Sequence, residues 1–194
     1  DVINMSLGLP DDNAAMRVVI DRAVQNNILL IAAVGNDYSS IKNYPATYSN
    51  VVGVGAVDRS GRWAPYSNNN SSVWITAPGS AICGLGYKTD NEYIGTWDGT
   101  SLAAPAVAGL AAMARQADPG ITVTEFFQLL KLTADHSPNA DENGYSYKYG
   151  YGYADAAALT KALTPRVIHY ANMDNVPAGA EDLMPADRSY NIYE

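Results

Sequence analysis

Two uninterrupted apolar runs of strand length constrain the fold of this 194-residue chain more than any other feature. They are residues 28–34 (ILLIAAV) and 51–57 (VVGVGAV), and neither alternates with polar residues. A strand that is apolar on both sides must be buried on both faces, as in a parallel sheet covered by helices. Residues 13–27, which precede the first run, have the periodicity of an amphipathic helix. This order predicts an α/β fold in which helices flank a parallel β-sheet on both faces.

The remaining segments extend this pattern. Residues 1–7 and 73–77 are predicted strands, and residues 101–116, 124–132 and 154–163 are predicted helices. Residues 68–72 and 135–144 have the composition of loops. We expect residues 1–163 to fold together and residues 164–194, rich in Asp, Asn, Pro and Tyr, to form a tail or linker. The single cysteine, Cys83, is predicted to be a small buried apolar residue.

Charge and hydropathy exclude several classes of partner. The formal net charge is −8, which argues against binding to nucleic acid or to an anionic membrane surface. No apolar stretch is long enough to span a membrane, and we find no signal peptide.

A serine stands where a glycine turn leads into a helix of small residues. Gly99-Thr100-Ser101 is followed by an alanine-rich apolar run. The start of a helix offers free backbone N–H groups and the positive end of the helix dipole, and both can stabilise a developing oxyanion. We expect Pro105 in the first helical turn, where its missing N–H costs little. On this evidence alone, Ser101 is equally well explained as the cap of a buried helix.

An asparagine side chain follows the first apolar strand. Gly35-Asn36 ends the run, at the edge of the sheet where open α/β folds place their ligands. An amide at this edge can donate to the same oxyanion as the Ser101 N–H. The alternative is that Asn36 is an ordinary turn residue.

These motifs occur in the order typical of one enzyme family. Ser6-Leu7-Gly8, Gly35-Asn36 and Gly99-Thr100-Ser101 closely resemble the substrate strand, oxyanion hole and nucleophile of the subtilisin-like serine proteases (subtilase family, peptidase S8). Residues 44–57, 77–79 and 150–156 resemble further subtilase segments. The resemblance runs from residue 1 to about residue 163. It implies a subtilisin-like three-layer sandwich, seen through its C-terminal, nucleophile-bearing portion with the N-terminal part missing from this chain.

The resemblance assigns roles to individual residues. It implies that Ser101 is the nucleophile and Asn36 the oxyanion donor, and that a peptide substrate adds as a strand beside residues 6–8. The implied walls of the primary specificity pocket are Ser6, Leu7, Gly8, Ala33, Val34 and Gly35.

Two further expectations concern charge near this pocket. Asp37 and Asn43 map to its floor or rim, where an acidic group could favour a basic P1 residue, although a solvated loop residue is the simpler explanation of Asp37. The backbone carbonyls of Ala46, Tyr48 and Val51 map to a weak cation site, which implies a structural Ca²⁺ and no catalytic cofactor.

The chain lacks the other half of a subtilase triad. Its two histidines, His136 and His169, both follow Ser101, and neither stands in a His-Gly-Thr context. No Asp-[Ser/Thr]-Gly precedes Asn36. A subtilase brings its residues in the order Asp, His, Ser, so this chain cannot complete that triad alone.

Three hypotheses remain open. In the first, which we favour, the chain belongs to an active endopeptidase whose Asp and His come from an absent or separate N-terminal segment. In the second, it is a catalytically inactive subtilase-like module that binds peptides or proteins. In the third, Ser101 pairs with a later Asp and histidine, as in α/β-hydrolases, although Ser101 lacks the Gly-x-Ser-x-Gly context. The composition and the family habit favour a secreted or cell-envelope bacterial protein.

Overall fold

The predicted parallel sheet is present in the computed structural model, which describes residues 1–89, 92–135 and 140–163. Its strands lie side by side in chain order, and each neighbouring pair is parallel. They are β1 (Val2–Met5), β2 (Leu29–Ala33), β3 (Val52–Val57) and β4 (Ile75–Pro78). Every residue of β2 and β3 is buried, as their uninterrupted apolar sequences predict.

Helices cover both faces of this sheet. On one face lies α1 (Ala14–Gln25), and on the other lie α2 (Thr100–Ala117), α3 (Val123–Thr133) and α4 (Ala156–Leu163). Alternate residues of β2 enter the two cores: Leu30 and Ala32 join the cluster that contains Ile20 of α1, whereas Leu29 and Ile31 join the α2–α4 cluster. The three-layer α/β architecture is therefore confirmed. No helix within the described ranges has the length and apolar character needed to cross a membrane.

An antiparallel hairpin that the sequence analysis missed connects the sheet to α2. It consists of β5 (Ile82–Thr89) and β6 (Glu92–Trp97), which form a separate two-stranded sheet. Cys83 pairs with Thr96 in this hairpin and is exposed, so the prediction of a buried cysteine was wrong. The physical reason is that Cys83 belongs to neither of the two cores that cover the main sheet.

Some predictions fall on residues beyond this description. The tail at 164–194, the histidines His136 and His169, and residues 136–139 of the predicted loop lie outside the described residues. The assignment of residues 1–163 to one folding unit and 164–194 to a linker stays a prediction.

Two glycines test how closely the layers pack. A Cβ atom on Gly53 would lie 1.9 Å from the backbone oxygen of Ser72, whereas one on Gly109 would meet nothing within 4 Å. We therefore expect Gly53→Ala to lower the free energy of unfolding by about 3 kcal/mol, because backbone must move. Gly109→Ala, within α2, is the matched control and should raise it by about 0.5–1 kcal/mol. Urea unfolding of both variants measures the difference, and an unchanged stability of Gly53→Ala would contradict this close approach.

Candidate active site

Ser101 is the second residue of α2, and its helix start is aimed at the carboxyl end of the sheet. Gly99 precedes the helix as its N-cap and, being a glycine, has no side chain of its own to cap the first turn. The Ser101 N–H belongs to the first turn of the helix, where backbone donors have no intrahelical acceptor. The Ser101 hydroxyl donates a long hydrogen bond of 3.4 Å to the backbone oxygen of Ser6. A half-buried serine with a free backbone donor beside it is thus placed next to an exposed segment of chain.

Pro105 lies in the second turn of α2 rather than in the first, which corrects the expectation from sequence. A residue at this position would normally donate its N–H to the carbonyl of Ser101, four residues earlier. Proline has no such donor, so the Ser101 carbonyl needs another partner. The Ser6 hydroxyl supplies it at 2.7 Å. Ser6 therefore links the segment after β1 to the helix that carries Ser101.

Thr100 holds the side chain of Asn36 at the start of the same helix. The Asn36 Oδ1 atom accepts hydrogen bonds from the Thr100 N–H at 2.8 Å and from its hydroxyl at 3.0 Å. These two bonds fix which end of the amide is the acceptor, and they leave Nδ2 without a partner among the described residues. A Cβ atom on Gly99 would lie 3.6 Å from that nitrogen. The structure thus places the free Asn36 amide donor close to the start of α2.

Gly79 supports the turn that precedes Ser101. Its carbonyl accepts a hydrogen bond from the Gly99 N–H at 2.8 Å and another from the Tyr66 hydroxyl at 2.7 Å. Burial raises the pKa of Tyr66 above its ordinary value, so this hydroxyl remains a donor to a higher pH than that of an exposed tyrosine. A Cβ on Gly79 would lie 2.8 Å from the Gly99 carbonyl, which leaves room only for glycine.

The residues predicted to line the specificity pocket lie next to one another. Ser6, Leu7 and Gly8 are exposed, and the backbone groups of Leu7 and Gly8 have no partner within the described part of the chain. Beyond them, Leu9 forms an antiparallel bridge with Tyr44. The wall residues from β2 and its end are Ala33 and Val34, which are buried, and Gly35, which is partly buried.

Asn43 connects the two walls. A Cβ on Gly8 would lie 3.2 Å from the Asn43 Cβ, and a Cβ on Gly35 would lie 2.1 Å from the Asn43 Nδ2. The same nitrogen donates to a carboxylate oxygen of Asp37 at 2.9 Å. Asp37 is therefore held in place beside the predicted pocket, although the residue itself is exposed.

Sequence reasoning missed two residues of this site, Thr100 and Asn68. Asn68 is fully buried and contacts the loop that carries Asn36 and Asp37. The signal was visible as three consecutive asparagines at positions 68–70, whose amides can serve backbone groups of a neighbouring loop. Composition alone predicted only a loop here, because asparagine is common both in turns and in buried hydrogen-bond networks.

The predicted cation site has a neutral set of donors. The Tyr48 carbonyl already accepts a hydrogen bond from the Val51 N–H at 3.0 Å, and Ala46 is buried beside β3. No group of three or more His, Cys, Asp or Glu side chains suited to a metal occurs within the described ranges. Ca²⁺ sites in proteins usually include Asp or Glu carboxylates as well as carbonyl oxygens, so backbone carbonyls alone are a poor match. The Ca²⁺ assignment to Ala46, Tyr48 and Val51 stays a prediction, and no later step depends on it.

The fold and this helix-start site define a class of α/β proteins with a serine and an asparagine amide at the carboxyl edge of a parallel sheet. The family model described as the Subtilase family (Peptidase_S8) matches residues 1–152. The chain belongs to the subtilase family.

Individual relatives agree with this membership. A thermostable alkaline protease of Halalkalibacterium halodurans is 37% identical over 145 residues, which cover 74% of this chain and 39% of that protein. Subtilisin E of Bacillus subtilis is 38% identical over 144 residues, covering 72% of this chain and 37% of that protein. A solved protease of Pseudoalteromonas arctica PAMC 21717 superposes with a TM-score of 0.72 at 34% identity, covering 84% of this chain and 51% of that one. The chain thus spans less than half the length of the two sequence relatives.

The link between Ser6 and the proline-interrupted helix can be tested by a double-mutant cycle. Ser6→Ala should lower the free energy of unfolding by about 0.5–1 kcal/mol, since it removes the donor to the Ser101 carbonyl. In a Pro105→Ala background the cost should shrink, because the new backbone N–H can serve that carbonyl instead. Denaturant unfolding gives both values. Ser40→Ala, at an exposed serine without a partner among the described residues, is the control. An equal cost of Ser6→Ala in both backgrounds would refute the exchange of donors.

Proposed function

We propose that this chain is the nucleophile-bearing portion of a serine endopeptidase. The observation that carries the proposal is the pair of free donors at the start of α2, the Asn36 amide and the Ser101 N–H, beside the Ser101 hydroxyl. Thr100 holds the amide in advance of any substrate. Donors that are fixed before the reaction stabilise a developing oxyanion without reorganising.

The proposed chemistry is peptide hydrolysis through an acyl-enzyme. The Ser101 Oγ attacks the carbonyl carbon of the scissile bond, and its proton passes to a histidine base. The tetrahedral oxyanion accepts from the Asn36 amide and the Ser101 N–H. The histidine then protonates the leaving amine, and water hydrolyses the ester to regenerate the Ser101 hydroxyl.

The substrate would bind as an extended peptide. The exposed residues 6–8 lie beside Ser101, and the backbone groups of Leu7 and Gly8 have no partner among the described residues. An added peptide strand can use them through main-chain hydrogen bonds, with its P1 side chain directed between Gly8 and Gly35.

The base and its orienting aspartate are proposed to come from a segment outside this sequence. Residues 1–135 contain no histidine, and the sequence relatives are more than twice as long as the matched region. β1 pairs with β2 alone within the described residues, and its Ile3 side chain is 41% exposed. An unpaired strand edge is a surface that a further strand can complete. We further propose a secreted or cell-envelope bacterial protein, chiefly because the similar subtilases are bacterial proteases; the acidic, cysteine-poor composition agrees with this.

The second candidate function is a non-catalytic module that binds peptides. It is supported by the same exposed edge at residues 6–8, which needs no histidine to bind a strand.

A fluorophosphonate probe separates these functions in the full-length protein. We expect covalent labelling of the Ser101 hydroxyl, detected by mass spectrometry of the tryptic peptide, and no labelling of Ser101→Ala. Labelling should persist when His136 and His169 are both changed to Ala, because neither is the proposed base. Its loss in that double variant would instead support a Ser, Asp, His order as in α/β-hydrolases. A full-length wild-type protein that is not labelled would favour the binding module.

Removal of the Asn36 amide tests the oxyanion role. Asn36→Leu should lower kcat on the order of 10²–10³-fold with a small change in KM, because the hydrogen bond from the Asn36 amide to the oxyanion forms in the transition state. Steady-state hydrolysis of a peptide substrate gives both constants. Asn69→Leu, at a partly buried asparagine outside the site, is the control for removing an amide. Near-normal turnover of Asn36→Leu would exclude this role.

A further inference from the structure

The asparagine tract at residues 68–70 holds the loop that follows β2. The Ile41 carbonyl accepts from the side-chain amides of both Asn68 and Asn70, at 3.1 and 2.7 Å. The Asn69 N–H donates to the Ser39 carbonyl at 3.0 Å. Side-chain amides and backbone N–H groups of this tract therefore serve the carbonyls of residues 34–41, which no described strand of the sheet pairs with.

Asn68 is the residue of this tract that binds Asp37. It is 0% exposed, and its Nδ2 atom lies within hydrogen-bond distance of the Val34 carbonyl (3.2 Å) and of an Asp37 carboxylate oxygen (2.8 Å). Its Oδ1 accepts from the Asp37 N–H at 2.8 Å, and its own N–H donates to the Gly35 carbonyl at 3.1 Å. Both the backbone and the side chain of Asp37 are thus fixed by one buried amide.

The fixed carboxylate keeps its charge available. Its two side-chain partners among residues 1–89, 92–135 and 140–163, the amides of Asn43 and Asn68, are neutral. The ion pairs of the described residues, Arg17–Asp12 and Arg62–Asp58, do not include Asp37. Amide donors orient a carboxylate without neutralising it, so an incoming cation can still pair with it.

The Asp37 carboxylate also lies beside the predicted specificity pocket. The Asn43 amide that binds Asp37 is the group that connects the Gly8 wall to the Gly35 wall. A Cβ on Gly35 would lie 3.0 Å from the Asp37 Oδ2 atom. Positive φ (106°) at Gly35 brings the backbone this close, and it is a conformation that favours glycine.

We propose that Asn68 is a positioning residue that fixes the Asp37 carboxylate at the specificity pocket, where it favours substrates with Lys or Arg at P1. The inference rests on the proposed endopeptidase function and adds a substrate class to it. A solvated aspartate that sampled many rotamers would discriminate less between a basic and an apolar side chain, because its charge would be averaged over solvent.

The test is a double-mutant cycle on specificity in the full-length protein. The readout is the ratio of kcat/KM for two peptide 4-nitroanilides that differ only in Lys or Phe at P1. Asp37→Asn should lower this Lys/Phe ratio roughly fivefold, the size of a partly exposed ion pair. Asn68→Ser should lower it by about threefold in the wild-type background and leave it unchanged in the Asp37→Asn background. Asn69→Ser is the control, since the Asn69 side chain reaches only the Ser39 carbonyl, at 3.5 Å.

A second variant covers the case in which Asn68→Ser does not fold. Asn43→Ser removes the other amide donor to the same carboxylate oxygen, so it should lower the ratio as well and lose this effect in the Asp37→Asn background. A purely structural role would lower both kcat/KM values together and leave the ratio unchanged, which would overturn the inference while leaving the proposed function intact. If the wild-type protein hydrolyses neither substrate and Ser101 is not labelled, both proposals fall.

Discussion

Helix α2 lies close against the sheet because its buried face consists of small side chains, and the site depends on this approach. Ala103, Ala104, Ala111 and Ala114 are all 0% exposed, and the helix packs against all four parallel strands. A bulky face would hold the helix farther from the sheet, since interiors are close-packed and separation follows side-chain size. The close approach brings the N-terminus of α2 to the carboxyl ends of β1 and β2, where Ser6 and Asn36 stand.

Hydrogen bonds from neighbouring segments then fix the start of α2 in position. Thr100 binds the Asn36 acceptor atom, and the Gly79 carbonyl binds the Gly99 N–H. The Ser6 hydroxyl serves the carbonyl that Pro105 leaves without a helical donor. The interruption of the helix ladder is thus what joins α2 to the segment after β1. A proline that looks like a defect in an isolated helix becomes the reason for a tertiary contact.

Sequence predicted the parts of this molecule whose physics is local. The runs at 28–34 and 51–57 could only be buried strands, and the order of motifs placed Ser101 and Asn36 at one edge of the sheet. The hairpin β5–β6 escaped notice because its residues do not enter the main core, so the apolar signal that reveals a buried strand is weak there. Cys83 was misjudged for the same reason.

Contacts between distant segments were the hardest to predict. Asn68 lies 31 residues from Asp37, and the sequence around Asn68 has no pattern that predicts a contact with that loop. The position of Pro105 also depended on where α2 begins, and helix boundaries are poorly defined by pattern alone.

Ser101, the proposed nucleophile, is held less firmly than its surroundings. The Ser101 hydroxyl makes a 3.4 Å contact with the Ser6 carbonyl, whereas the reverse bond from the Ser6 hydroxyl is 2.7 Å. The longer bond is the weaker one, so rotating the Ser101 hydroxyl toward a base costs little hydrogen-bond energy. The helix start and its amide stay in place during that rotation, because their bonds do not involve the Ser101 side chain. The described residues thus hold the two proposed oxyanion donors in place and leave the Ser101 hydroxyl free to turn, a division of rigidity and freedom that suits the proposed acyl transfer.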